Sequence, residues 1–360
     1  MEMEKPIQQD EKKVYFGGLD SLRLYAFLIV FISHAYFSFF DTTYDLTRRF
    51  AHGEMGVHIF FVLSAFLITY LSLREYGKTG GFSIVHFFKK RILRIWPLYF
   101  LVVGASYLWH IVSGPEQALG CTTQFLYFLG NVCAQHDAPD IIGSTTLIPM
   151  WSISVEQQFY TIFPVLLLGI IWLRKKSNKI LTLSAVFASL TVVLLYALNF
   201  RAVYSQNWDY ISYATVASLP GFIFGIILAY VMYKNAPIIT HIRTCAKVYA
   251  LTAVIAFVSA FKIKFYYALG VSLYILPILY STLIYIILAT GKTQVNKKTA
   301  TEYLGQISYG LYAYHMFAIV FLQYVAFSIS PWLESLLAFG ITIVLAHLSY
   351  TYFESWFLKL

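Results

Sequence analysis

Charged residues and cysteines are both scarce in this chain of 360 residues. Asp, Glu, Lys and Arg make up 12% of the sequence, and 59% of it is hydrophobic. A soluble domain carries about twice that share of charge, so the composition excludes a water-soluble globular protein. The three cysteines, Cys121, Cys133 and Cys245, match no zinc-binding spacing. The sequence therefore predicts an all-α polytopic membrane protein without a metal site.

The sequence also lacks a cleavable signal peptide, because no short apolar core or small-residue cleavage site precedes the first long apolar run. Internal repeats and low-complexity tracts are absent from it as well. We expect residues 1–18 to form a polar cytoplasmic tail and residues 354–360 to form a second short one. Between them, residues 19–353 are expected to form a single transmembrane domain.

Apolar stretches of helix length predict about ten transmembrane helices. The predicted spans are 19–40, 55–73, 94–112, 150–172, 180–199, 213–233, 247–261, 265–290, 303–327 and 333–353. The longest predicted outer loop, residues 113–149, contains Cys121 and Cys133. In an oxidising compartment these two cysteines could form a disulfide, and two unpaired thiols are equally compatible with the sequence.

Positive charges are distributed unevenly between alternate loops. With the N-terminus inside, the predicted inner segments contain 20 Lys and Arg residues and the outer segments contain 5. Cytoplasmic loops of membrane proteins are enriched in these residues, so both termini are predicted to be cytoplasmic. The same enrichment accounts for the net charge of +9 without nucleic-acid binding.

Ionisable residues lie inside the first predicted span. Arg23 and His34 are eleven positions apart, which places them on one helix face about 16 Å apart. Such residues are costly in a bilayer and therefore indicate a functional site. Asp20 lies three positions before Arg23, the spacing of a helical ion pair.

A second polar group opens the fourth predicted span. Glu156 lies about six residues below its outer end, at the same predicted depth as His34, and Ser152 and Tyr160 lie one turn to either side. A carboxylate and an imidazole at one depth can form the pair that general-base catalysis needs. We therefore predict that Glu156 orients His34; a buried structural glutamate is the alternative.

Basic residues crowd the cytoplasmic end of the third predicted span. Arg91 and Arg94 are three positions apart and share a helix face, and Lys90 adjoins them. Arginine binds phosphate through a bidentate fork, so this cluster predicts a phosphate site. On the second span, small residues including Ser64 favour close helix packing.

Four segments together resemble the acyltransferase-3 family. They are R-x10-H (Arg23, His34), G-x3-F-F-x2-S (Gly56, Phe60, Phe61, Ser64), K-R-x2-R-x2-P (Lys90, Arg91, Arg94, Pro97) and W-S-x3-E-x2-F-Y (Trp151, Ser152, Glu156, Phe159, Tyr160). Further matches are LPGFIFG from Leu219, ISYGLYAYH from Ile307, and Glu354.

The resemblance implies a multi-pass enzyme of the bacterial inner membrane that transfers acetyl groups from coenzyme A to cell-surface carbohydrate. It implies catalysis by His34 and Glu156. Acetyl-CoA, a donor substrate rather than a resident cofactor, would bind Arg23, Lys90, Arg91 and Arg94. Asp20, Ser64, Trp151, Ser152 and Tyr160 are the further candidates for the site lining.

Other functions remain open from the sequence. Within acyl transfer, the acceptor could be a glucan that is succinylated, peptidoglycan, or a secondary metabolite. A secondary transporter could also use intramembrane His, Glu and Arg to relay protons. Transporters usually consist of two related halves, which this sequence does not show.

Overall fold

A computed structural model describes residues 17–40, 53–113, 119–134, 146–176, 213–234, 279–284, 287, 299–325 and 329–360. Throughout this part of the chain the regular secondary structure is helical and no strand occurs. The prediction of an all-α protein is confirmed.

The helices are α1 (Gly17–Phe39), α2 (Gly53–Thr79), α3 (Ile84–Ser113), α4 (Leu119–Leu126), α5 (Met150–Lys176), α6 (Thr215–Lys234), α7 (Ala300–Gln306), α8 (Ser308–Val325), α9 (Pro331–Leu348), a π-helix (Ser349–Glu354) and α10 (Ser355–Lys359). Four helical stretches are long and apolar enough to cross a membrane: Gly18–Phe39, Gly53–Thr79, Ile84–Trp109 and Pro331–Lys359. The chain is therefore a membrane protein by the length and composition of its helices. The predicted spans 180–199 and 247–261, and most of 265–290, lie outside the described residues.

Several helices differ in extent from their predicted spans. α3 begins at Ile84 rather than residue 94, so Arg91 and Arg94 lie within the helix. The predicted span 303–327 divides at Ile307 into α7 and α8. A capping box fixes the start of α7, because Thr299 accepts from the Glu302 amide and the Glu302 carboxylate accepts from the Thr299 amide. The last helix continues through the π-helix to Lys359, into the segment predicted as a tail.

α1 lies at the centre of the described bundle, in contact with α2, α7, α8 and α9, and α2 packs closely on α6. Glycines permit these close approaches. A Cβ on Gly56 of α2 would collide with the backbone carbonyl of Ala26, and one on Gly305 would collide with the backbone of Asp20. Small residues at such contacts are typical of membrane helices, and they hold α1 against its neighbours.

Large apolar side chains on the outside of the bundle face away from protein. Val112 is 85% exposed, Val85 79% and Trp332 73%. Contact with lipid accounts for exposed apolar side chains on the helices of a membrane protein.

Cys133 is buried and disulfide-bonded. The chain has two other cysteines, Cys121 and Cys245, and their side chains fall outside the described part of the structure. Cys133 is therefore not an unpaired thiol, and its predicted pairing with Cys121 stays a prediction.

Candidate active site

A cavity of about 120 Å³ lies inside the bundle. Among the described residues its polar lining comes from five helices, α1, α2, α3, α5 and α8, and consists of Arg23, Ser64, Arg91, Arg94, Ser152, Glu156, Tyr160, Ser308, Tyr309 and Tyr312. Three cations and one carboxylate thus share one small space among apolar side chains. Such convergence is costly to bury without a function, which makes this cavity the candidate site.

The three arginines reach the cavity from two helices. Arg23 of α1 pairs with the buried Asp20 through Nη1 and Oδ1 at 2.5 Å. The guanidinium of Arg91 lies over the rings of Phe87 and Tyr160, 5.6 and 5.7 Å from their centroids. Its Nε is buried and has no hydrogen-bond partner among the described residues. Positive charge therefore exceeds negative charge here, as an anionic ligand requires.

One carboxylate oxygen of Glu156 accepts hydrogen bonds from two hydroxyl groups. Tyr160, one turn along α5, donates to Oε1 at 2.5 Å, and Ser64 of α2 donates to the same atom in a short contact. Oε2 has no hydrogen-bond partner among the described residues, and Glu156 lies within electrostatic reach of Arg91. The carboxylate is thus fixed in position with one oxygen still able to accept a proton or a hydrogen bond.

His34 lies beyond the cavity and contacts a second histidine. Its Nδ1 is 2.9 Å from Nε2 of His315 on α8, and the two rings are inclined by only 25°. Nδ1 of His315 is 2.7 Å from the backbone carbonyl of Tyr312. His315 is fully buried, and both of its ring nitrogens have partners.

Tyr312 forms the boundary between the cavity and the histidine pair. Its hydroxyl contacts Ser152 Oγ at 2.8 Å and donates to the carbonyl of Pro149 at 3.1 Å. Its ring contacts the ring of His315, with 5.6 Å between centroids. The side chain lines the cavity while the backbone carbonyl holds His315, so one residue connects the two groups.

The structure brings most of the predicted site residues together. The cavity-lining ones are Arg23, Ser64, Arg91, Arg94, Ser152, Glu156 and Tyr160. Asp20 adjoins the cavity through Arg23, and Trp151 is buried against Phe61 and Tyr213 instead. Lys90 is exposed and does not line the cavity.

Glu156 was predicted to orient His34, and the structure shows no hydrogen bond between these two side chains. His34 Nδ1 faces His315, and Glu156 Oε1 is occupied by Ser64 and Tyr160. The sequence prediction compared depth alone, and depth does not specify which neighbouring helix a side chain faces.

Sequence reasoning assigned no role to His315, Tyr312, Tyr309 or Ser308. All four lie in the segment ISYGLYAYH, which was noted only as a family match. The available signal was the spacing, because Ser308, Tyr312 and His315 recur at intervals of four and three and so share one face of α8.

A family model described as an acyltransferase domain matches residues 16–351. The O-acetyltransferase OatA of Staphylococcus aureus (strain NCTC 8325 / PS 47) is 24% identical over 363 residues, which cover 95% of this chain and 57% of OatA. A protein of S. aureus (strain COL), provisionally named an O-acetyltransferase, is 26% identical over 100% of this chain and 60% of its own length. YrhL of Bacillus subtilis (strain 168), provisionally named a peptidoglycan O-acetyltransferase, is 30% identical over 54% of this chain and 30% of YrhL.

The chain spans 57% of the length of OatA and 60% of the length of the S. aureus (strain COL) protein. No solved structure matches it. The family model nevertheless covers nearly the whole chain, including every helix that lines the cavity. The chain therefore belongs to the acyltransferase-3 family, as its sequence motifs predicted.

Proposed function

We propose that this chain is a membrane O-acyltransferase. It transfers an acyl group, most simply acetyl, from cytoplasmic acyl-CoA to a hydroxyl of a cell-surface or exported carbohydrate such as an exopolysaccharide or a lipopolysaccharide O-antigen. Family membership supports acyl transfer, and the names of the relatives support O-acetylation. The observation that carries the proposal is the cavity where three arginines and Glu156 converge, next to the His34–His315 pair.

The arginines are suited to hold the donor. Coenzyme A is a polyanion, and Arg91 and Arg94 lie toward the N-terminal part of α3, on the side that the charge distribution predicts to be cytoplasmic. Arg91 has a buried Nε available for an additional acceptor. In this proposal Arg91 and Arg94 bind phosphate oxygens, Arg23 guides the extended donor arm along α1, and the thioester approaches the histidine pair past Tyr312.

His34 acts as the general base. Its Nε2 removes the proton of the acceptor hydroxyl as the hydroxyl oxygen attacks the thioester carbonyl carbon. The new C–O bond forms, the C–S bond breaks, and the leaving thiolate takes the proton from His34 Nε2 to become free coenzyme A, which returns His34 to its neutral form. Glu156 supports this step from the cavity, where it is the one carboxylate among the described lining residues, and it accepts hydrogen bonds from the hydroxyls of Ser64 and Tyr160.

Peptidoglycan is the second candidate acceptor, favoured by the printed name of YrhL. The two acceptors differ in chemistry, and separate reaction arms can compare them.

The proposal is tested by thiol release from acetyl-CoA. Purified protein in lipid nanodiscs is incubated with acetyl-CoA and either polysaccharide or peptidoglycan fragments, and free coenzyme A is measured with a thiol-reactive dye. We expect acceptor-dependent release by the parent chain and none by His34→Gln. Equal release by the two proteins contradicts the role of His34. If the parent chain releases no coenzyme A with any hydroxyl acceptor, but takes up solute into liposomes along an ion gradient, the proposal is wrong and the protein is a transporter.

A further inference from the structure

We propose that His315 is the residue that sets the tautomer of His34 and so leaves the catalytic nitrogen of His34 unprotonated. This inference rests on the proposed function, in which His34 is the base. It assigns to His315 of α8 the orienting role that the sequence had suggested for Glu156.

The buried end of the pair is Nδ1 of His315. His315 Nδ1 lies 2.7 Å from the backbone carbonyl of Tyr312, and a carbonyl oxygen can only accept. Nδ1 of His315 therefore carries a hydrogen. In a neutral imidazole the other nitrogen is then an acceptor, so Nε2 of His315 presents a lone pair to His34.

The lone pair on His315 determines the state of His34. Nδ1 of His34 is 2.9 Å from Nε2 of His315, and a hydrogen bond at this distance needs one hydrogen between the two atoms. Because His315 supplies the lone pair, His34 must supply the hydrogen. Neutral His34 is then protonated at Nδ1 and unprotonated at Nε2, the nitrogen that must accept a proton from the acceptor hydroxyl.

The relative placement of the rings supports a directed hydrogen bond. The ring centroids are 5.1 Å apart while the bonded nitrogens are 2.9 Å apart, and the ring planes differ by 25°. The two nitrogens therefore point toward each other between nearly parallel rings, rather than one ring lying face to face on the other. This alignment also fixes the orientation of the His34 ring.

If His315 donated the hydrogen to His34 instead, its ring would carry a buried positive charge with no carboxylate among the described residues to compensate it. If His315 donated from both nitrogens it would be an imidazolium, and no carboxylate hydrogen-bonds to either ring within the described part of the chain. Its ring contacts are Phe27, Tyr312 and His34. An unpaired charge at a fully buried position is strongly disfavoured, so the neutral form of His315 prevails.

His315 is a positioning residue, because it contacts the base rather than the reacting atoms. Enzymes in which a carboxylate orients the catalytic histidine lose on the order of 10⁴-fold in kcat when the wrong tautomer is favoured. A neutral imidazole can impose the same tautomer without adding a negative charge to the apolar interior. The apolar surroundings of His315 favour a neutral partner for His34. Phe27 on α1 and Leu311 and Ile319 on α8 are all fully buried.

The direct test reads the tautomer of His34 by nitrogen NMR. Protein labelled with ¹⁵N-histidine is reconstituted in lipid, and the His34 signals are identified as those missing from His34→Gln. We expect the parent chain to show neutral His34 protonated at Nδ1. Protonation at Nε2 overturns the inference, and this outcome needs no His315 variant and no acyltransferase activity, so it is separate from failure of the proposed function.

Two variants separate positioning from packing. Gln at position 315 can still accept a hydrogen bond from His34, whereas Leu fills space but cannot. We expect His315→Leu to lose the single His34 tautomer and to lower kcat on the order of 10²–10⁴-fold, the usual contribution of a general base. His315→Gln should keep the tautomer and recover part of kcat, with the KM for acetyl-CoA unchanged in both. An unaltered His34 tautomer in His315→Leu, or equal kcat in the two variants, contradicts the inference.

Discussion

At the scale of single residues, the account depends on which charges face the cavity. Arg91 and Arg94 line it, whereas the neighbouring Lys90 does not. The sequence grouped all three as donor ligands because they share one basic segment. The structure separates them, since successive positions on a helix point in different directions.

We expect Arg91→Ala and Arg94→Ala chiefly to raise the KM for acetyl-CoA. A lost charge-assisted contact costs about 1.5–3 kcal/mol, which corresponds to a rise of about 10- to 150-fold. Arg→Lys at either position should recover part of the loss, because it restores the charge without the fork. Lys89→Ala is the matched control, since Lys89 is exposed on the same helix and outside the cavity. A KM unchanged in both arginine variants would leave these residues as topology signals alone.

Glu156 should be needed for its charge rather than for its hydrogen bonds. In Glu156→Gln the amide oxygen still accepts from Ser64 and Tyr160, but the negative charge near Arg91 is lost. We expect kcat to fall on the order of 10²-fold, the typical cost of removing one preorganised electrostatic group, with the melting temperature little changed. Tyr160→Phe serves as the comparison, because it removes a donor and keeps the charge. A larger kcat loss in Tyr160→Phe than in Glu156→Gln would argue against an electrostatic role.

Sequence reasoning predicted the local relationships among these residues and missed the distant ones. Glu156 and Tyr160 are four positions apart, so a helix alone places them on one face, as the structure confirms. Ser64 and Glu156 are 92 positions apart, and His34 and His315 are 281 apart. Only tertiary packing brings these pairs together, and helical periodicity carries no information about it.

At the scale of helices, small residues determine how closely α2 approaches α6. A Cβ on Gly225 of α6 would lie 2.5 Å from the carbonyl oxygen of Val62 and 2.7 Å from the Cβ of Ala65. Both atoms belong to the body of α2 and cannot rotate away. The sequence predicted close packing for α2 from small residues including Ser64, but it gave no indication that α6 was the partner helix.

We therefore expect Gly225→Ala to destabilise the fold. Overpacking at a rigid contact typically costs about 1–3 kcal/mol, which should appear as a lower melting temperature of the protein in lipid nanodiscs. Gly340→Ala on α9 is the control, because a Cβ there would contact nothing within 4 Å. The close-packing account is wrong if the two variants melt together.

At the scale of the whole molecule, the sequence predicted an all-helical membrane protein and its family. Apolar composition and apolar runs of helix length were sufficient to predict the helical membrane protein. The order of the motifs was sufficient to predict the family. Helix ends were less predictable. The start of α3 follows Ser83, whose hydroxyl accepts from the His86 amide, and the start of α7 is fixed by the capping box at Thr299; hydropathy carries neither signal.

The orientation of the chain in the membrane rests on the distribution of Lys and Arg. We expect single cysteines introduced at Asp45 and Asp137, in predicted outer loops, to react with an impermeant thiol reagent in intact spheroplasts. A cysteine at Ser177, in a predicted inner segment, should react only after the membrane is opened. The parent chain gives the background from its own cysteines. Labelling at Ser177 but not at Asp45 would reverse the topology and place the arginine cluster on the outer side.

The central claim is that His34 performs chemistry on a donor held by other residues. The most direct measurement compares His34→Gln with the parent chain for acetyl-CoA binding and for kcat in one lipid preparation. Gln keeps a polar group of similar reach but takes no proton at neutral pH, so we predict an unchanged Kd and a kcat reduced on the order of 10²–10⁴-fold. A near-normal kcat, or a loss of activity that follows entirely from weaker acetyl-CoA binding, would contradict the account.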